Sequence, residues 1–554
     1  MSRSAAVRVL AFYVALLAVF AWIGNGPSAV MSLVNRLYVY HGIPKTAFFV
    51  IAYLGATAGL LALYLSRSRV LRCSSHLVSF LSIALFLSYR QVNGYGYTFY
   101  DAKMAVSVYG WRYSGEAVQT FLPHLLWPCA VALCFVLAVE ALHRTVLPKV
   151  SPWWGVLPVL ALVPVYAVNV RTLGEISQFP APYEVPVLSY VAKYRDLPLG
   201  MRDEPYLKPV SAPMARHVIY IVDESIRGDM LSVNGYRVDT TPFLKGAAGR
   251  MVNLGVAAAS TNCSSTTHIV LEAGIRLDQL PDREYRTLRQ PSLFQYAQGA
   301  GYRTFVLDGP NSWGRPYEWM SGHDLEAIDS YRYVRKENPG IRSHDIDYRL
   351  VDIIDTITRT EGSSFIFVVK YGCHFSYEND YPPERRVFSP TIGGSREPTL
   401  DAVLNSYYNA IHWSVDGFFR KLLPLLEDRS AIVVYTSDHG QSIEEYRTLP
   451  ATHCVGQDPP GTQASVPLIL FPMGAEAQRA LGRHGPVLTR NRDRASHFEL
   501  FPTVLQVMGY DPSEVKRLYG SSLFDELGGR REFVSGTLYG RGFFQKHAFE
   551  GQGR

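Results

Sequence analysis

Long apolar runs, separated by short polar segments, dominate the first 170 residues of the chain. The runs lie at Val9–Ile23, Thr46–Leu65, Leu77–Tyr89, Phe121–Leu142 and Trp154–Val170. A helix needs about 17–25 apolar residues to cross the hydrocarbon core of a bilayer, and each run approaches that length, although the third is short. The pattern therefore predicts an α-helical transmembrane bundle of about five spans, with four spans as the alternative.

Basic residues in the short loops between these runs predict how the spans are oriented. Arginine and lysine concentrate on the cytoplasmic side of a membrane. In this chain they precede the first run and follow the second and the fourth, at Arg3, Arg8, Arg67, Arg69, Arg72, Arg144 and Lys149. If the spans alternate, these residues share one side, so the N-terminus is predicted to be cytoplasmic and the chain after the fifth run to lie outside. A cleaved signal peptide is the alternative for the first run, but that run lacks a clear small-residue cleavage site and further spans follow it.

The pattern changes at Arg216 to short β-branched runs that alternate with amphipathic stretches. The strand-like runs are His217–Val222, Tyr302–Leu307, Ser364–Val369, Ala431–Tyr435 and Val466–Phe471, and the helical stretches include Leu293–Ala300, Ile346–Thr358 and Ala402–Leu426. Near-continuous apolar strands that alternate with helices indicate an α/β domain whose mostly parallel sheet is covered on both faces. The predicted organisation is a transmembrane domain over 1–170, a proline-rich linker over 171–215 and an outer domain over 216–554.

The composition is that of a chain with one apolar part and one soluble part, and it bears on whether the protein binds nucleic acid. Only 18% of the residues are charged, whereas soluble domains carry about 25% charged residues. The mean hydropathy of +0.02 is high for a wholly soluble protein and low for a wholly embedded one. A net charge of +6, with no long basic run, gives no argument for nucleic-acid binding.

Polar side chains follow several of the predicted strands at the point where each strand ends. Glu224 follows the first strand, and Asp438 and His439 follow the fourth. His374 follows the third strand, and His453 precedes the fifth. Because active residues of such sheets gather beyond the carboxyl ends of the strands, we expect these side chains to converge. Carboxylate and imidazole ligands suit a divalent metal, zinc in particular, with ordinary loop chemistry as the alternative.

A hydroxyl-rich segment, Asn262–His268, supplies the candidate nucleophile. It follows the strand-like stretch Val252–Ala259 and opens the apolar stretch Ile269–Ile275. The positive end of a helix dipole favours an alkoxide and an incoming phosphate at this position. Serine and threonine are also preferred N-caps, so a capping role is the alternative.

Several motifs together resemble the membrane-bound phosphoethanolamine transferases, a sulfatase-like branch of the alkaline phosphatase superfamily. His217–Leu244 reads HVIYIVDESIRGDMLSVNGYRVDTTPFL, which is similar to the opening of their outer domain, and Ser437–Ser442 reads SDHGQS where they carry SDHGES. Gly372–His374 and His453 resemble their later histidine motifs, and His497–Gly509 reads HFELFPTVLQVMG, a sulfatase-like C-terminal pattern. The resemblance covers nearly the whole chain, because the family also has five N-terminal spans before a periplasmic catalytic domain.

The resemblance implies a zinc site and a covalent mechanism. Glu224, Asp438 and His439 are implied to bind zinc. The nucleophilic threonine of the family lies four residues after a cysteine and corresponds to Thr267, which would also contact the metal. Thr266 is the alternative nucleophile.

The same resemblance implies residues that contact the substrates. His374 and His453 match residues that contact the transferred phosphate or a second metal. Asn311 and Ser312 lie near the substrate-contacting segment of the family. Glu116 resembles a periplasmic-loop glutamate that is associated with the lipid donor.

The implied function is transfer of phosphoethanolamine from phosphatidylethanolamine to an envelope acceptor, either lipopolysaccharide (lipid A) or a periplasmic glycan, through a phospho-threonine intermediate. The implied location is the bacterial inner membrane, with several spans and a periplasmic catalytic domain. The alternatives are a phosphoglycerol transferase, a membrane-anchored phosphodiesterase or sulfatase-like hydrolase, and an inactive interaction module. The segment CSSTTHIV lacks the Pro or Ala and the Arg of a formylglycine motif, which argues against a true sulfatase.

The chain departs from the family pattern at three places near the implied site. Asp223 stands where the family has glycine. Val369 occupies the position of an expected histidine and is followed by Lys370, so a second, histidine-dependent metal site is in doubt. Cys454 follows His453 in place of glycine.

The outer domain carries three cysteines, Cys263, Cys373 and Cys454. Many relatives that modify lipid A carry several periplasmic disulfides, so this small number weakens lipid A as the acceptor. The periplasm is oxidising, so two thiols that lie close together are expected to pair. Since His374 and His453 are implied to face one phosphate, a Cys373–Cys454 bridge is one expectation. Three buried thiols that act as small hydrophobic side chains are the alternative.

Overall fold

The computed structural model describes residues 3–25, 42–93, 97, 102, 122–155, 160, 180–194 and 201–550, apart from gaps at 313–315, 318, 321–322, 376, 394–397, 445–451 and 541–542. The chain divides into two compact units, Met1–Leu197 with Tyr539–Phe543, and Pro198–Leu538 with Phe544–Arg554. The division between them falls inside the predicted linker.

The first unit is built from helices. Those within the described residues are α1 (Arg3–Asn25), α2 (Gly42–Tyr64), α3 (Arg69–Asn93), α4 (Leu126–Thr145) and α5 (Ala181–Tyr194). Three segments are long and apolar enough to cross a membrane, Arg3–Gly24, Arg69–Gln91 and Leu126–Thr145, and Tyr53–Tyr64 is a shorter apolar segment. Most of the fifth predicted run, Trp154–Val170, lies outside the described residues. The count of five spans therefore stays a prediction.

The segments that precede α3 and follow α4 are tied together. The N–H of Arg67 donates to the carbonyl of Val150 at 2.9 Å, and the N–H of Val150 donates to the carbonyl of Leu65 at 2.9 Å. Arg72 in the first turn of α3 reaches Glu140 in the last turns of α4, with 3.1 Å between Nε and Oε2. Helices α3 and α4 therefore run antiparallel, as the predicted alternation of spans requires.

The stretch predicted as a linker is not irregular throughout. It contains α5, whose first residue, Ala181, accepts a hydrogen bond at its carbonyl from Oγ of Ser82 in α3 at 2.6 Å. Pro182 does not prevent this helix, because the N–H groups of a first helical turn have no intrahelical partner. The predicted linker over 171–215 therefore includes a helix.

The second unit is built on a central sheet. Its strands are β1 (His217–Asp223), β2 (Val252–Ala258), β3 (Arg303–Asp308), β4 (Ser330–Tyr333), β5 (Ser364–Val369), β6 (Ala431–Ser437), β7 (Ser465–Met473), β8 (Glu532–Gly536) and β9 (Phe544–Ala548). Seven of them form one sheet in the order β2-β7-β6-β1-β5-β3-β4, while β8 pairs with β9. In the large sheet β7 runs antiparallel to both neighbours, and the other pairs are parallel. The predicted α/β domain with a mostly parallel sheet is confirmed.

Helices cover both faces of this sheet. They are α6 (Pro242–Gly246), α7 (Ser264–Ala273), α8 (Leu293–Gly299), α9 (Val334–Glu337), α10 (Ser343–Thr360), α11 (Leu400–Ile411), α12 (Phe418–Leu426), α13 (Gly474–Gly482), α14 (Gly485–Arg490), α15 (Leu500–Val507) and α16 (Pro512–Tyr519). Alternate residues of β1 enter two different cores, with Val218, Tyr220 and Val222 in one and Ile219 and Ile221 in the other. Burial on both faces explains why this strand is apolar at nearly every position.

The register of the central strands aligns their carboxyl ends. Val222 of β1 pairs with Val369 of β5 and with Thr436 of β6. The residues that follow these three strands therefore leave the sheet at one edge, which is where parallel sheets place their active residues.

Candidate active site

Three side chains of types that can ligate a metal meet at this edge of the sheet. Glu224 follows β1, and Asp438 and His439 follow β6; all three are buried, and one ligand atom of each lies within 4.8 Å of the others. Nε2 of His439 is 3.6 Å from Oε1 of Glu224 and 3.4 Å from Oδ2 of Asp438. The structure thus brings together the three residues that the sequence predicts as zinc ligands.

Backbone hydrogen bonds hold the ligands after β6 in place. Oδ1 of Asp438 accepts the N–H groups of Ser225 at 3.0 Å and of His439 at 2.7 Å. Nδ1 of His439 lies 2.7 Å from the carbonyl of Gly440. Because a carbonyl only accepts, Nδ1 carries the proton, and Nε2 presents its lone pair to the two carboxylates, as in a metal-binding histidine. A Cβ at Gly440 would lie 2.2 Å from the carbonyl oxygen of Thr462, so the close approach of two backbones requires glycine here.

The unused oxygen of Asp438 shows that a cation fits this cluster. Oδ2 of Asp438 is buried and accepts no hydrogen bond from any described residue. A buried carboxylate oxygen without a partner is costly, and a divalent cation between it and His439 would satisfy it. Burial alone would raise the pKa of Asp438, but the neighbouring His439 and His268 outweigh burial and lower it to about 2, so this carboxylate is ionised at neutral pH.

The hydroxyl that reaches this cluster belongs to Ser264. Its Oγ lies 3.1 Å from Nε2 of His439 and 3.4 Å from Oε2 of Glu224. Ser264 is the first residue of α7, and its N-cap, Cys263, makes no side-chain capping bond. The hydroxyl therefore combines proximity to the ligands with the positive end of a helix dipole.

The two threonines that the sequence favours as nucleophiles point elsewhere. Oγ1 of Thr267 lies 2.8 Å, and Oγ1 of Thr266 2.6 Å, from Oγ1 of Thr261. Thr267 is fully buried, and its N–H already donates to the carbonyl of Cys263 within the first turn of α7. The threonine predicted from its spacing after Cys263 therefore lies within the first turn of α7, whereas the residue that begins the helix is Ser264.

Two further histidines lie at the rim of the cluster. The ring of His453 stacks on that of His439, with centroids 4.5 Å apart and planes inclined by 21°. Burial, followed by the nearby His439 and His374, holds the pKa of His453 well below its usual value, so this imidazole is neutral. The N–H of His374 donates to Oδ2 of Asp380 at 2.9 Å, which orients its loop.

The loop that carries His374 packs closely against Glu224 because residue 372 is a glycine. Gly372 has a φ of 62°, and a Cβ there would lie 2.5 Å from the carbonyl oxygen of Glu224. The N–H of Cys373 donates to the same carbonyl at 3.1 Å. The resemblance in Gly372–His374 therefore has a packing reason as well as a chemical one.

Two of the remaining predicted substrate contacts follow β3, and the third lies outside the described residues. The amide of Asn311 is buried and donates to Oδ2 of Asp308 at 2.8 Å, at the end of β3. Burial raises the pKa of Asp308 to about 7. Ser312 is exposed, and Glu116 falls outside the described residues.

Two of the departures from the family pattern form one buried ion pair. Nζ of Lys370 lies 2.5 Å from Oδ2 of Asp223 and 3.4 Å from Oδ2 of Asp347, and it donates to the carbonyl of Ser414 at 2.6 Å. Burial alone would lower the pKa of Lys370, but the two carboxylates outweigh burial and raise it, so the ammonium stays charged. Oδ1 of Asp223 accepts the N–H of Glu224 at 3.0 Å, so the pair lies directly behind the first ligand.

The third departure takes part in a disulfide. Cys454 is bonded to Cys263, with Cα atoms 4.7 Å apart and 191 positions between them in the sequence. Cys373 is a buried free thiol whose Sγ lies 3.4 Å from Oγ of Ser414. The expected Cys373–Cys454 bridge is therefore wrong, and so is the alternative of three thiols, because neighbouring histidines do not set the direction of the adjacent side chains.

A buried carboxylate and imidazole cluster, with a hydroxyl at a helix start beside it, is the arrangement of a metal-dependent transferase or hydrolase. The family model for sulfatases matches residues 216–510, more than half of the chain. The chain therefore belongs to the sulfatase family.

Curated relatives confirm the resemblance to phosphoethanolamine transferases. The chain is 26% identical over 309 residues to the Kdo(2)-lipid A phosphoethanolamine 7''-transferase of Escherichia coli K12, covering 53% of this chain and 52% of the relative. It is 25% identical over 255 residues to the phosphoethanolamine transferase EptA of Helicobacter pylori, covering 43% and 44%. The chain spans about half the length of the curated relatives that it matches.

Solved structures agree on the fold. The integral membrane lipooligosaccharide phosphoethanolamine transferase A of Neisseria meningitidis superposes with a TM-score of 0.56 at 18% identity, covering 90% of this chain and 96% of that one. The C-terminal periplasmic domain of EptC from Escherichia coli, in complex with Zn, gives 0.50 at 18% identity, covering 62% and 96%.

Proposed function

We propose that this protein transfers phosphoethanolamine from phosphatidylethanolamine to an envelope acceptor, lipopolysaccharide (lipid A) or a periplasmic glycan, with Ser264 as the nucleophile. The observation that carries the proposal is the hydroxyl of Ser264, 3.1 Å from Nε2 of His439 and beside Glu224. The names of the curated relatives support phosphoethanolamine as the transferred group and lipid A as one acceptor.

The residues present would hold a zinc ion through Glu224, Asp438 and His439. Bound there, zinc supplies Lewis acidity, which lowers the pKa of a neighbouring hydroxyl and neutralises charge on phosphate oxygens. In this proposal Ser264 replaces Thr267 as the nucleophile and as the hydroxyl beside the metal.

The proposed reaction has two steps at one place. Oγ of Ser264 attacks the phosphorus of the lipid and gives up its proton, the bond from phosphorus to the diacylglycerol oxygen breaks, and diacylglycerol leaves as that oxygen takes up one proton, so the proton count is unchanged. An acceptor oxygen then attacks the phosphorus of the phosphoethanolamine-serine, the bond from phosphorus to Oγ of Ser264 breaks, and Oγ takes up the proton that the acceptor releases. A covalent intermediate divides one difficult displacement into two easier ones.

The surrounding groups suit a phosphate that reacts here. The N-terminus of α7 offers backbone N–H groups and the positive end of a dipole to phosphate oxygens. His453, half-buried against His439, is proposed to clamp the phosphate, and His374 to donate the proton to the leaving oxygen. The apolar helices of the first unit support a multi-pass location in the bacterial inner membrane with the catalytic domain in the periplasm, where a lipid donor arrives by lateral diffusion.

A hydrolase with water as the acceptor is the second candidate, since the name of the sulfatase family denotes a hydrolytic reaction. The disulfide argues against a formylglycine sulfatase, because Cys263 is bonded to Cys454.

A transfer assay tests the proposed function. The full chain is reconstituted in vesicles with phosphatidylethanolamine carrying a fluorescent acyl chain, with lipid A or a periplasmic glycan as the acceptor. We expect zinc-dependent formation of labelled diacylglycerol and of phosphoethanolamine-modified acceptor, detected by mass spectrometry. Diacylglycerol with free phosphoethanolamine and unmodified acceptors would identify a hydrolase instead, and release with phosphatidylglycerol alone would favour the phosphoglycerol transferase.

A further inference from the structure

The disulfide joins the two loops that meet over the metal-ligand cluster. Cys263 immediately precedes Ser264, and Cys454 immediately follows His453, so one covalent bond links the nucleophile loop to the loop of the rim histidine. Because His453 stacks on His439, a displacement of Cys454 moves an imidazole that lies against one member of the cluster.

Hydrogen bonds accompany this covalent link. The N–H of Cys454 donates to the carbonyl of Asn262 at 2.8 Å. Nδ2 of Asn262 donates to the carbonyl of Val455 and to Oε1 of Gln463, each at 2.8 Å. On the other side of His453, the carbonyl of Thr452 accepts the N–H of Ser442 at 2.7 Å.

Cys454 adopts an unfavourable backbone conformation, which the hydrogen bonds around it must offset. Cys454 has a φ of 57°, in the left-handed region that disfavours a residue with a Cβ. The resembling family has glycine at this position, which adopts such a φ without that cost. A non-glycine residue keeps such a conformation only where the surrounding structure holds it there. At Cys454 the disulfide bond to Cys263 is one of the interactions that hold it.

We propose that the Cys263–Cys454 disulfide holds His453 over the Glu224, Asp438 and His439 cluster, and that phosphoethanolamine transfer requires this bond. Cys263 and Cys454 are then positioning residues that act through His453. The proposal rests on the proposed transferase function and on His453 as its phosphate clamp. Reduction by a dithiol such as dithiothreitol converts the disulfide into two thiols while the dithiol is oxidised, and it frees the His453 loop from the nucleophile loop.

The first test compares the full chain with a Cys263→Ser, Cys454→Gly double variant in the vesicle assay. Glycine relieves the left-handed backbone of residue 454, so the variant is expected to fold and to retain the zinc ligands. We expect the turnover number to fall about 10–100-fold, as for other small misplacements of a catalytic group, with unchanged zinc content. Dithiothreitol should lower the wild-type rate to the same level and leave the double variant unaffected. Cys73→Ser, at an exposed cysteine of α3, is the matched control and should behave as the wild type.

A second variant separates positioning from general stability. In a His453→Ala background the double cysteine variant should cost nothing further, because the group that the disulfide positions is already absent. A purely structural disulfide would impose its full cost in both backgrounds, and that result overturns the proposal. An active wild type whose rate is unchanged in the double variant overturns it as well.

A third measurement does not depend on transfer. Carbethoxylation of His453 by diethylpyrocarbonate, followed by peptide mapping, reports how tightly this ring is held. We expect faster modification in the reduced protein and in the double variant than in the oxidised wild type. A wild type that transfers nothing would overturn the proposed function. The reactivity of His453 would still decide the role of the disulfide. Equal rates of His453 modification in the oxidised wild type and in the double variant would exclude a positioning role.

Discussion

Ser264 and Thr267 differ by three positions, and this difference decides which hydroxyl reaches the predicted metal ligands. Ser264 opens α7 and meets His439 at 3.1 Å, whereas Thr267 lies in the first turn and hydrogen-bonds Thr261. Several hydroxyl residues of Asn262–His268 are compatible with a helix start, so the sequence alone does not choose among them.

Replacing Ser264 by alanine should abolish transfer while leaving zinc content and the unfolding transition close to those of the wild type. We expect a loss of about 1000-fold or more in turnover, because removing a nucleophile leaves only binding and electrostatics. Mass spectrometry of a quenched reaction should find phosphoethanolamine on Ser264 of the wild type.

Two controls surround this variant. Thr267→Val removes only a buried hydroxyl that bonds Thr261, so it should lower stability by about 1–2 kcal/mol and retain transfer. Asp438→Ala should lose both zinc and transfer, because it removes a ligand whose Oδ2 has no other partner among the described residues. Phosphoethanolamine trapped on Thr266 or Thr267 would return the nucleophile to the threonine that the family resemblance implies.

Those strands of the outer domain that carry a near-continuous apolar run were predictable, because each such run by itself indicates a buried strand. Near-continuous apolar runs indicated β1, β3, β5, β6 and β7, and the alignment of parallel strands at their carboxyl ends brought Glu224 to Asp438 and His439. Contacts between distant elements were not predictable in this way. Lys370 and Asp223 are 147 positions apart, and three cysteines allow more than one pairing.

Lys370 should matter for stability because it neutralises Asp223 and Asp347 at the junction of β1 and β5. Lys370→Met leaves buried carboxylates without their cation, and we expect a loss of about 3–5 kcal/mol in the free energy of unfolding. Adding Asp223→Asn removes one orphaned charge and should recover part of this loss. Denaturant unfolding of the full chain in detergent, followed by tryptophan fluorescence, measures both variants.

An exposed ion pair provides the comparison for Lys370. Nζ of Lys245 lies 3.0 Å from Oδ1 of Asp239, and both side chains are more than half exposed, at 51% and 57%. Lys245→Met should therefore change the free energy of unfolding by less than about 1 kcal/mol. Equal effects of Lys245→Met and Lys370→Met would show that the buried pair contributes no more than a surface contact.

At the scale of the whole molecule, the fold extends over nearly the entire chain, while the relatedness in sequence covers about half of it. The Neisseria meningitidis transferase covers 90% of this chain in structure, but the Escherichia coli relative covers 53% in sequence. Membrane helices tolerate exchange among apolar side chains, because their requirement is length and hydrophobicity more than identity.

The number of spans decides on which side of the membrane the site lies. The described helices do not fix this number, so it stays a prediction. Arg67 and Val150 are hydrogen-bonded neighbours at one end of α3 and α4, and basic residues on both segments predict that this end lies in the cytoplasm. If Trp154–Val170 crosses the membrane, the outer domain lies in the periplasm; with four spans it stays in the cytoplasm. Fusions of an alkaline phosphatase reporter after Lys149 and after Pro209 should give opposite activities, with the active reporter at Pro209. A fusion after Arg67 should match that at Lys149, and equal signals at Lys149 and Pro209 would contradict five spans and remove lipopolysaccharide from the reach of Ser264.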